Sequence, residues 1–421
     1  MSLRIGSMST LIVSSTKVAK EVLKTHDLAF CSRPALLAMR KLSYKCLDLA
    51  FAPYNESWRE KRKLCVMHLF NPNRVQQFRP TREDEVSQDE VSRMIQKISK
   101  SVGASNPVNL SELLMSMTSS IICRLAFGKR YEGDESEGSR FYAMLHKTEA
   151  MLGSFLFSDY FPFMGWVDKL TGMKRRLENN FKELDRFFQE IIQDHSDSKA
   201  PKNEQEDIVD VLLRIQKDGG LKVDISWDHI KAILMNVFAG GSDPSAATIV
   251  WAMTYLMKNS RVMKKVEEEI RSEIGKKGFV NEDDVQKLTY LKAVVKETMR
   301  LQPTIPFLIP RETTENCIID GFEIRPVFVN SWAIGRDPEA WENPHEFYPE
   351  RFFIPFGGGR RICPGLHMGV ATVELALANL LYKFNWEMPP GMNKTDLDLD
   401  VVPGITMNKN NALCLTPINY E

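Results

Sequence analysis

The chain has 421 residues, 43% of them apolar, and its 55 basic residues balance its 55 acidic ones. A neutral chain of this size buries a large core and carries no charge bias toward nucleic acid. Its seven cysteines include no CxxC pair and its seven histidines no HExxH, which argues against a disulfide framework and a zinc site.

Nowhere do about 18 apolar residues run together, so no stretch reads as a membrane span, and no signal peptide opens the chain. Leu3–Ile5 and Thr10–Val13 read as a small β-hairpin. Val18–Leu23 reads as a helix, followed by a loop at Ser32-Arg33-Pro34. Residues 35–55 mix in apolar residues without a clear period. In Trp58-Arg59-Glu60-Lys61-Arg62-Lys63, positions 58 and 62 share a helical face, and an indole beside a guanidinium suits a carboxylate. Lys61 and Lys63 read as a solvated basic face. Residues 83–92, EDEVSQDEVS, repeat five residues in tandem. Five residues turn a helix by about 140° beyond a full turn, so one copy disturbs the face of the other, and the repeat reads as a local duplication without function.

Residues 174–195 form an amphipathic helix with Leu177, Phe181, Leu184, Phe188, Ile191 and Ile192 on one side. A polar linker, Pro201–Glu206, and a further helix, Asp207–Gln216, follow. Ser226 is a good N-cap for a long helix whose apolar face is interrupted by Ala239-Gly240-Gly241-Ser242-Asp243-Pro244-Ser245. Two glycines and a proline there weaken a helix, which points to a ligand approaching the backbone, or else to a kink or two separate helices. Glu297 and Arg300 are three apart on the next helix and can pair. Pro303–Pro310 is extended, and Cys317–Ile324 is a hairpin with Asp320-Gly321 at its turn. Near the C-terminus, Ile405–Met407 and Ala412–Leu415 read as short strands.

The most distinctive stretch is Phe356-Gly357-Gly358-Gly359-Arg360-Arg361-Ile362-Cys363-Pro364-Gly365. Its glycines leave room for a large flat ligand, and Pro364 suits the first position of a helix. Val370, Val373, Leu377, Leu380, Leu381 and Phe384 then recur on one helical face. A cysteine just before a helix N-terminus is placed where free N–H groups favour a thiolate, the form that ligates haem iron. A lone Cys-Pro-Gly would be an ordinary turn. Here the spacing Phe-x-x-Gly-x-Arg-x-Cys-x-Gly is complete at Phe356, Gly359, Arg361, Cys363 and Gly365.

At these residues the sequence resembles the cysteine loop of the cytochrome P450 superfamily, the haem-thiolate monooxygenases. The other motifs stand in the family's order: W-x-x-x-R at Trp58 and Arg62, the interrupted helix, E-x-x-R at Glu297 and Arg300, and Pro349-Glu350-Arg351-Phe352. Ser331–Pro338 is similar to plant members of the 71 clan, and within it to the 83 group, whose members oxidise aldoximes. The resemblance implies a mainly α fold with a small β region, the cytochrome P450 fold, in one domain over residues 1–421. It implies haem b with Cys363 as the iron ligand, Trp58, Arg62 and Arg311 at its propionates, and Phe356, Arg361 and Gly365 around it. Glu297, Arg300 and Arg351 take the place of a buried structural triad.

The family's oxygen-binding groove falls at Gly240–Ser245, where an acid is usually followed by threonine. Asp243 matches the acid, Pro244 stands where the hydroxyl belongs, and Ser242 and Ser245 lie beside it. The implied reaction inserts one atom of O₂ into a small apolar plant metabolite. That substrate would lie under residues 35–55, Gly240–Ser242, Thr304–Leu308 and Ile405. Electrons would come from NADPH through NADPH–cytochrome P450 reductase, docking at Arg360 and Lys61–Lys63. The family places such enzymes on the cytosolic face of the endoplasmic reticulum. Its N-terminal anchor is not in this sequence, and the segment Phe352–Ile354 before the cysteine loop is shorter than in relatives. Two other readings share the cysteine: a haem-thiolate isomerase or dehydratase, which Pro244 keeps open, and a truncated relative without turnover.

Overall fold

The computed structural model of the chain describes every residue except 71–86, 103–105, 130–134, 198–205, 220–223, 316, 320–321, 325, 352–355, 403 and 421. The first copy of the tandem repeat, most of the polar linker, the Asp320-Gly321 turn and the shortened Phe352–Ile354 segment lie outside the described residues. Helices dominate and the strands are short, as the mainly α expectation requires. Strands β1 (Ser2–Ile5) and β2 (Met8–Val13) form the expected hairpin, with Ile5 opposite Met8 and Gly6 turning the chain at φ +60°. Later strands are β3 (Val108–Asn109), β4 (Cys317–Ile319), β5 (Phe322–Ile324), β6 (Val327–Val329), β7 (Phe384–Glu387), β8 (Val401–Val402), β9 (Asn408–Lys409) and β10 (Cys414–Asn419). They make sheets β1-β2-β6 and β3-β10-β7 and hairpins β4-β5 and β8-β9.

Ile405–Met407 is not a strand but the bend leading into β9. Its backbone bonds a loop and a helix side chain instead of a strand partner: Met407 N–H donates to Thr304 O at 2.7 Å, and Met407 O accepts from Trp251 Nε1 at 2.8 Å.

The axis of the molecule is the central helix, Trp227–Lys258. Ser226 caps it in a reciprocal box with His229. The helix is apolar on nearly every side, the mark of one buried all round. Its first half packs against Leu110–Phe127, Met173–Asp197 and Ile208–Asp218. Its second half shares a core with Leu366–Lys383 and Thr289–Leu301. The helix is continuous through the stretch expected to interrupt it, with Pro244 inside. Two hydroxyls support the weakened turn, since Ser245 Oγ donates to Gly241 O at 3.2 Å and Thr248 Oγ1 to Pro244 O at 2.7 Å. Packing on all sides outweighs the roughly 3 kcal/mol intrinsic penalty of the proline.

Behind the cysteine helix lies the expected charged triad. Arg300 donates from Nε and Nη2 to both Glu297 oxygens at 2.7 Å, and neither side chain is exposed. Arg351 approaches Glu297 at 3.8 Å, and Tyr348 N–H donates to it at 2.9 Å. Arg300 also reaches the carbonyls of Gly335, Pro344 and Glu346. One guanidinium therefore ties the irregular chain 335–346 to the helix core.

Candidate active site

A cavity lies between the central helix and the cysteine loop. Gly240, Gly241, Pro244 and Ser245 line one wall, and Phe356, Arg361, Cys363 and Gly365 line the other. The loop is held in its path by left-handed backbone at Phe356 (φ 78°), Gly357 (φ 74°) and Gly359 (φ 67°). A side chain at Gly359 would come within 2.4 Å of Leu23 O, so this glycine is required by close approach. Gly240 and Gly365 have nothing within 4 Å where a Cβ would sit, leaving the cavity open at both walls.

Cys363 N–H donates to Phe356 O at 3.3 Å, which turns the thiol toward the cavity. The helix behind it begins at Leu366 with Gly365 as N-cap, so Pro364 precedes the first helical position. Cys363 is exposed, and it presents that surface to the cavity, where the protein encloses the sulfur. Burial pushes the thiol's pKa up, against the downward pull of the Gly365 amide and the Arg62 guanidinium. The helix end alone therefore does not make a thiolate, whereas a bound metal deprotonates a coordinating thiol outright.

Four arginines gather along the cavity: Arg33, Arg62, Arg311 and Arg361. All four donate to backbone carbonyls. Arg33 reaches Ala50, Ile309 and Pro310; Arg62 reaches Ile362; Arg311 reaches Phe30 and Gly358. Arg361 donates to Cys31 O at 2.7 Å, Leu49 O at 3.2 Å and Ala52 O at 2.8 Å. Burial lowers all four pKa values, to about 10 for Arg311 and Arg361. Arg33 falls well below the usual range through burial and then the charges of Arg361 and Arg311. The nearest opposing carboxylates are already engaged, Asp48 by Asn236 and Asp27 by Arg360. A cluster of buried like charges beside an open cavity lacks negative charge. A haem, with two carboxylates at one edge and an iron to take a thiolate, fits this donor set.

The sequence reading missed Arg33, which sits in the motif Ser32-Arg33-Pro34 that resembled only a loop. Trp58 is placed differently from expectation. Its indole N–H donates to Leu49 O at 2.9 Å, and its ring lies 3.8 Å under the Arg361 guanidinium, so it supports that arginine and does not line the cavity. Lys61 is buried at 4% exposure and donates to Leu47 O at 2.7 Å, which removes it from the expected basic surface. Lys63 is exposed, and Arg360 pairs with Asp27.

Asp243 lies on the far side of the central helix. Both its oxygens accept from Asn408 Nδ2, at 3.1 and 2.9 Å, and burial raises its pKa. Ser242 and Ile405 do not line the cavity either, whereas Pro303, Thr304, Ile305 and Leu308 do. Of residues 35–55, Leu49 and Ala50 reach the lining. Asn236 holds them there, accepting from both backbone N–H groups at 3.0 and 3.1 Å. The remaining wall is apolar, with Phe70, Ile122, Ile233, Val237, Ile309 and Met368.

Comparison with known proteins supplies the family. The family model for cytochrome P450 matches residues 1–415. The chain is 52% identical to 5-OH-xanthotoxin synthase of Ammi majus, an alignment covering 100% of this chain and 86% of that one. It is 49% identical, over the same shares, to 6,7,8-trihydroxycoumarin synthase of Pastinaca sativa. It is 46% identical to cytochrome P450 71A1 of Persea americana, over 96% of this chain and 84% of the relative. A zebrafish cytochrome P450 structure with progesterone superposes with a TM-score of 0.85 at 26% identity, over 99% of this chain and 96% of that one. With a cysteine loop facing a glycine-lined helix across a cavity rimmed by arginines, and with these relatives, the chain belongs to the cytochrome P450 family and is a plant-type monooxygenase of it.

Proposed function

We propose that this enzyme binds haem b through Cys363 and hydroxylates a small planar aromatic plant metabolite of the coumarin type. Electrons come from NADPH through NADPH–cytochrome P450 reductase at the endoplasmic reticulum. The observation that carries this reading is the shared cavity, in which the Cys363 thiol, the under-compensated arginines and the helix turn with Gly240, Gly241, Pro244 and Ser245 all meet. When bound, the haem supplies the activation of O₂, and a thiolate ligand donates electron density for that chemistry. Arg33, Arg62, Arg311 and Arg361 are the residues for its two carboxylates, with Trp58 holding Arg361 flat and Phe356 and Gly365 framing the ring. The apolar wall orients the substrate and excludes bulk water, and Asn236, Thr248 and Thr304 are among the polar groups of the lining. The coumarin class comes from the names of the relatives; an aldoxime, expected from the 83-group resemblance, is the second substrate to try. Lys63 and Arg360 remain from the expected reductase contact.

Pro244 stands where a hydroxyl usually orders water for proton delivery. Lacking an N–H, it leaves Gly240 O without its helical donor, and Gly240 faces the cavity. That carbonyl is a natural acceptor for a water in the groove. Ser245 is engaged with Gly241 O, and the Ser242 hydroxyl is buried without a partner among the described residues. The groove thus binds water through backbone and orders it loosely, which predicts a monooxygenase that releases part of its reduced oxygen as peroxide. The test is a coupled assay with reductase, NADPH and xanthotoxin-type and aldoxime substrates. Substrate-dependent product containing one atom from labelled O₂ supports the proposal. Turnover of a hydroperoxide without reductase, and none with it, would mean isomerase or dehydratase chemistry instead.

A further inference from the structure

Residues 48–52 belong to no helix or strand, and side chains hold their backbone from two directions. From the central helix, Asn236 Oδ1 accepts from the Leu49 and Ala50 N–H groups at 3.0 and 3.1 Å, and Asn236 Nδ2 donates to Asp48 Oδ2 at 2.9 Å. The opposite side is the arginine edge. Leu49 O accepts from Trp58 Nε1 at 2.9 Å and from Arg361 Nη1 at 3.2 Å. Ala50 O accepts from Arg33 Nε at 2.9 Å, and Ala52 O from Arg361 Nη2 at 2.8 Å. Leu49 and Ala50 therefore each have an N–H bonded to the central helix and a C=O bonded to an arginine, and both line the cavity.

The orientation of the Asn236 amide follows from these contacts. Its oxygen is the atom that can accept two N–H groups, and its NH₂ the one that can donate to a carboxylate, so a flipped amide would set donors against donors. Asp48 is 0% exposed and braces the same turn, accepting from the Ala50 and Phe51 N–H groups at 3.1 and 3.0 Å. Ala50 N–H thus has a second acceptor, whereas Leu49 N–H is held by Asn236. Asn236 also stands one turn before Gly240, on the face of the helix that lines the cavity. In such a low-dielectric wall each of these bonds is costly to leave unmade.

We propose that Asn236 is a positioning residue that couples the substrate to the haem edge. By tying Leu49 and Ala50 to the central helix, it fixes the substrate-facing surface of the segment and, through the same two residues, the carbonyls that aim Arg33 and Arg361. A substrate seated against Leu49 and Ala50 acts on the peptide groups that hold those guanidiniums. The coupling is reciprocal, so disturbing an arginine weakens substrate binding. The haem side of this coupling rests on the reading above, in which the arginines hold the haem carboxylates; the tie between the segment and the helix does not.

The experiment compares haem-loaded wild type with Asn236→Leu, Arg361→Leu, the double variant of these two, and Val237→Ala, an apolar wall residue on the same helix. Three quantities are read: hydrogen exchange at the Leu49 and Ala50 amides by mass spectrometry, the Kd of xanthotoxin from its spectral shift, and haem release to apomyoglobin. Asn236→Leu should speed exchange at Leu49 about tenfold, raise the Kd about tenfold and speed haem release about threefold. Arg361→Leu should also raise the Kd, and the double variant should release haem more slowly than the product of the two single effects requires. Val237→Ala should change the Kd and leave haem release as in wild type. Asn236→Asp combined with Asp48→Asn exchanges donor and acceptor across their contact and keeps an oxygen for the two N–H groups. It should restore slow haem release, a rescue that lost packing would not give.

Wild-type exchange at Leu49 or wild-type haem release in Asn236→Leu, or single effects that multiply fully in the double variant, overturns the proposal. Should Asn236→Leu fail to take up haem, Arg361→Leu reads the segment from its other end: faster exchange at Leu49 with weaker xanthotoxin binding supports the coupling, and their absence overturns it. Haem release unchanged in Arg361→Leu, with exchange and Kd raised in Asn236→Leu, overturns the haem-edge reading and leaves the tie between segment and helix standing.

Discussion

Replacing Glu297 with alanine tests whether the charged triad is a structural device. Glu297 and Arg300 are 0% exposed at the side chain, and the carboxylate receives both 2.7 Å guanidinium bonds, the Tyr348 N–H and Arg351 at 3.8 Å. Removing it leaves Arg300 buried and charged, with the Gly335, Pro344 and Glu346 carbonyls and the Trp341 ring as its partners among the described residues. Breaking a buried pair from one side costs about 3–5 kcal/mol. At about 1.4 kcal/mol per decade, the folded-to-unfolded ratio drops roughly 10²–10⁴-fold, a large part of the 5–15 kcal/mol that domains possess. The chain 335–346 loses its anchor, and with it the support behind the cysteine helix. Urea unfolding followed by tryptophan fluorescence, with the Soret band read in parallel, measures the effect. The expected result is a lower midpoint with unchanged slope, together with loss of haem uptake. Glu297→Gln should fall between wild type and Glu297→Ala, since it keeps an acceptor without the charge. A soluble, haem-loaded Glu297→Ala protein with a wild-type midpoint and altered turnover would refute the structural role.

The reduced carbon monoxide complex should show the red-shifted Soret band of thiolate ligation, and Cys363→His should lose it; retention of that band would remove Cys363 from the iron. Arg361→Leu should weaken haem retention about tenfold or more, measured by transfer to apomyoglobin, because it deletes a charge, three carbonyl contacts and the stack on Trp58. Trp58→Phe, which keeps a ring under the guanidinium, should cost less. Pro244→Thr should raise product per NADPH with little change in substrate affinity, and an unchanged ratio would show that the groove does not limit coupling. For His195, 2.8 Å from Asp207 Oδ2, burial lowers the pKa, and the hydrogen bond and charge of Asp207 outweigh it, so the folded value is raised. A raised histidine stabilises fully below its unfolded pKa of about 6.5 and loses that contribution as pH climbs through the folded value. Asp207→Asn should therefore cost more stability at pH 6 than at pH 9 in denaturant melts, and a pH-independent difference would contradict the pairing.

What the sequence determined by itself was local chemistry and order along the chain. Cys363, its glycines and the helix after it are adjacent residues, so their spacing reports the cysteine loop without any fold. The same holds for the amphipathic helix at 174–195, whose face is written every three or four residues, and for the Glu297–Arg300 pair. The tertiary structure decided everything that depends on residues distant in sequence. An isolated Gly-Gly-Ser-Asp-Pro reads as a break, because propensity is local; packing on every side keeps Trp227–Lys258 one helix. Trp58 and Lys61 look available on a helical wheel, yet carbonyls at Leu49 and Leu47, presented by the loop before them, take their N–H groups. Arg33 carries no helical or strand period of its own, so only its convergence with Arg62, Arg311 and Arg361 on one cavity marks it. Glu149, Asp243 and Thr406 come from three separate segments. Their burial together, with Thr406 donating to Glu149 at 3.2 Å, follows from tertiary packing, which no spacing along the chain encodes.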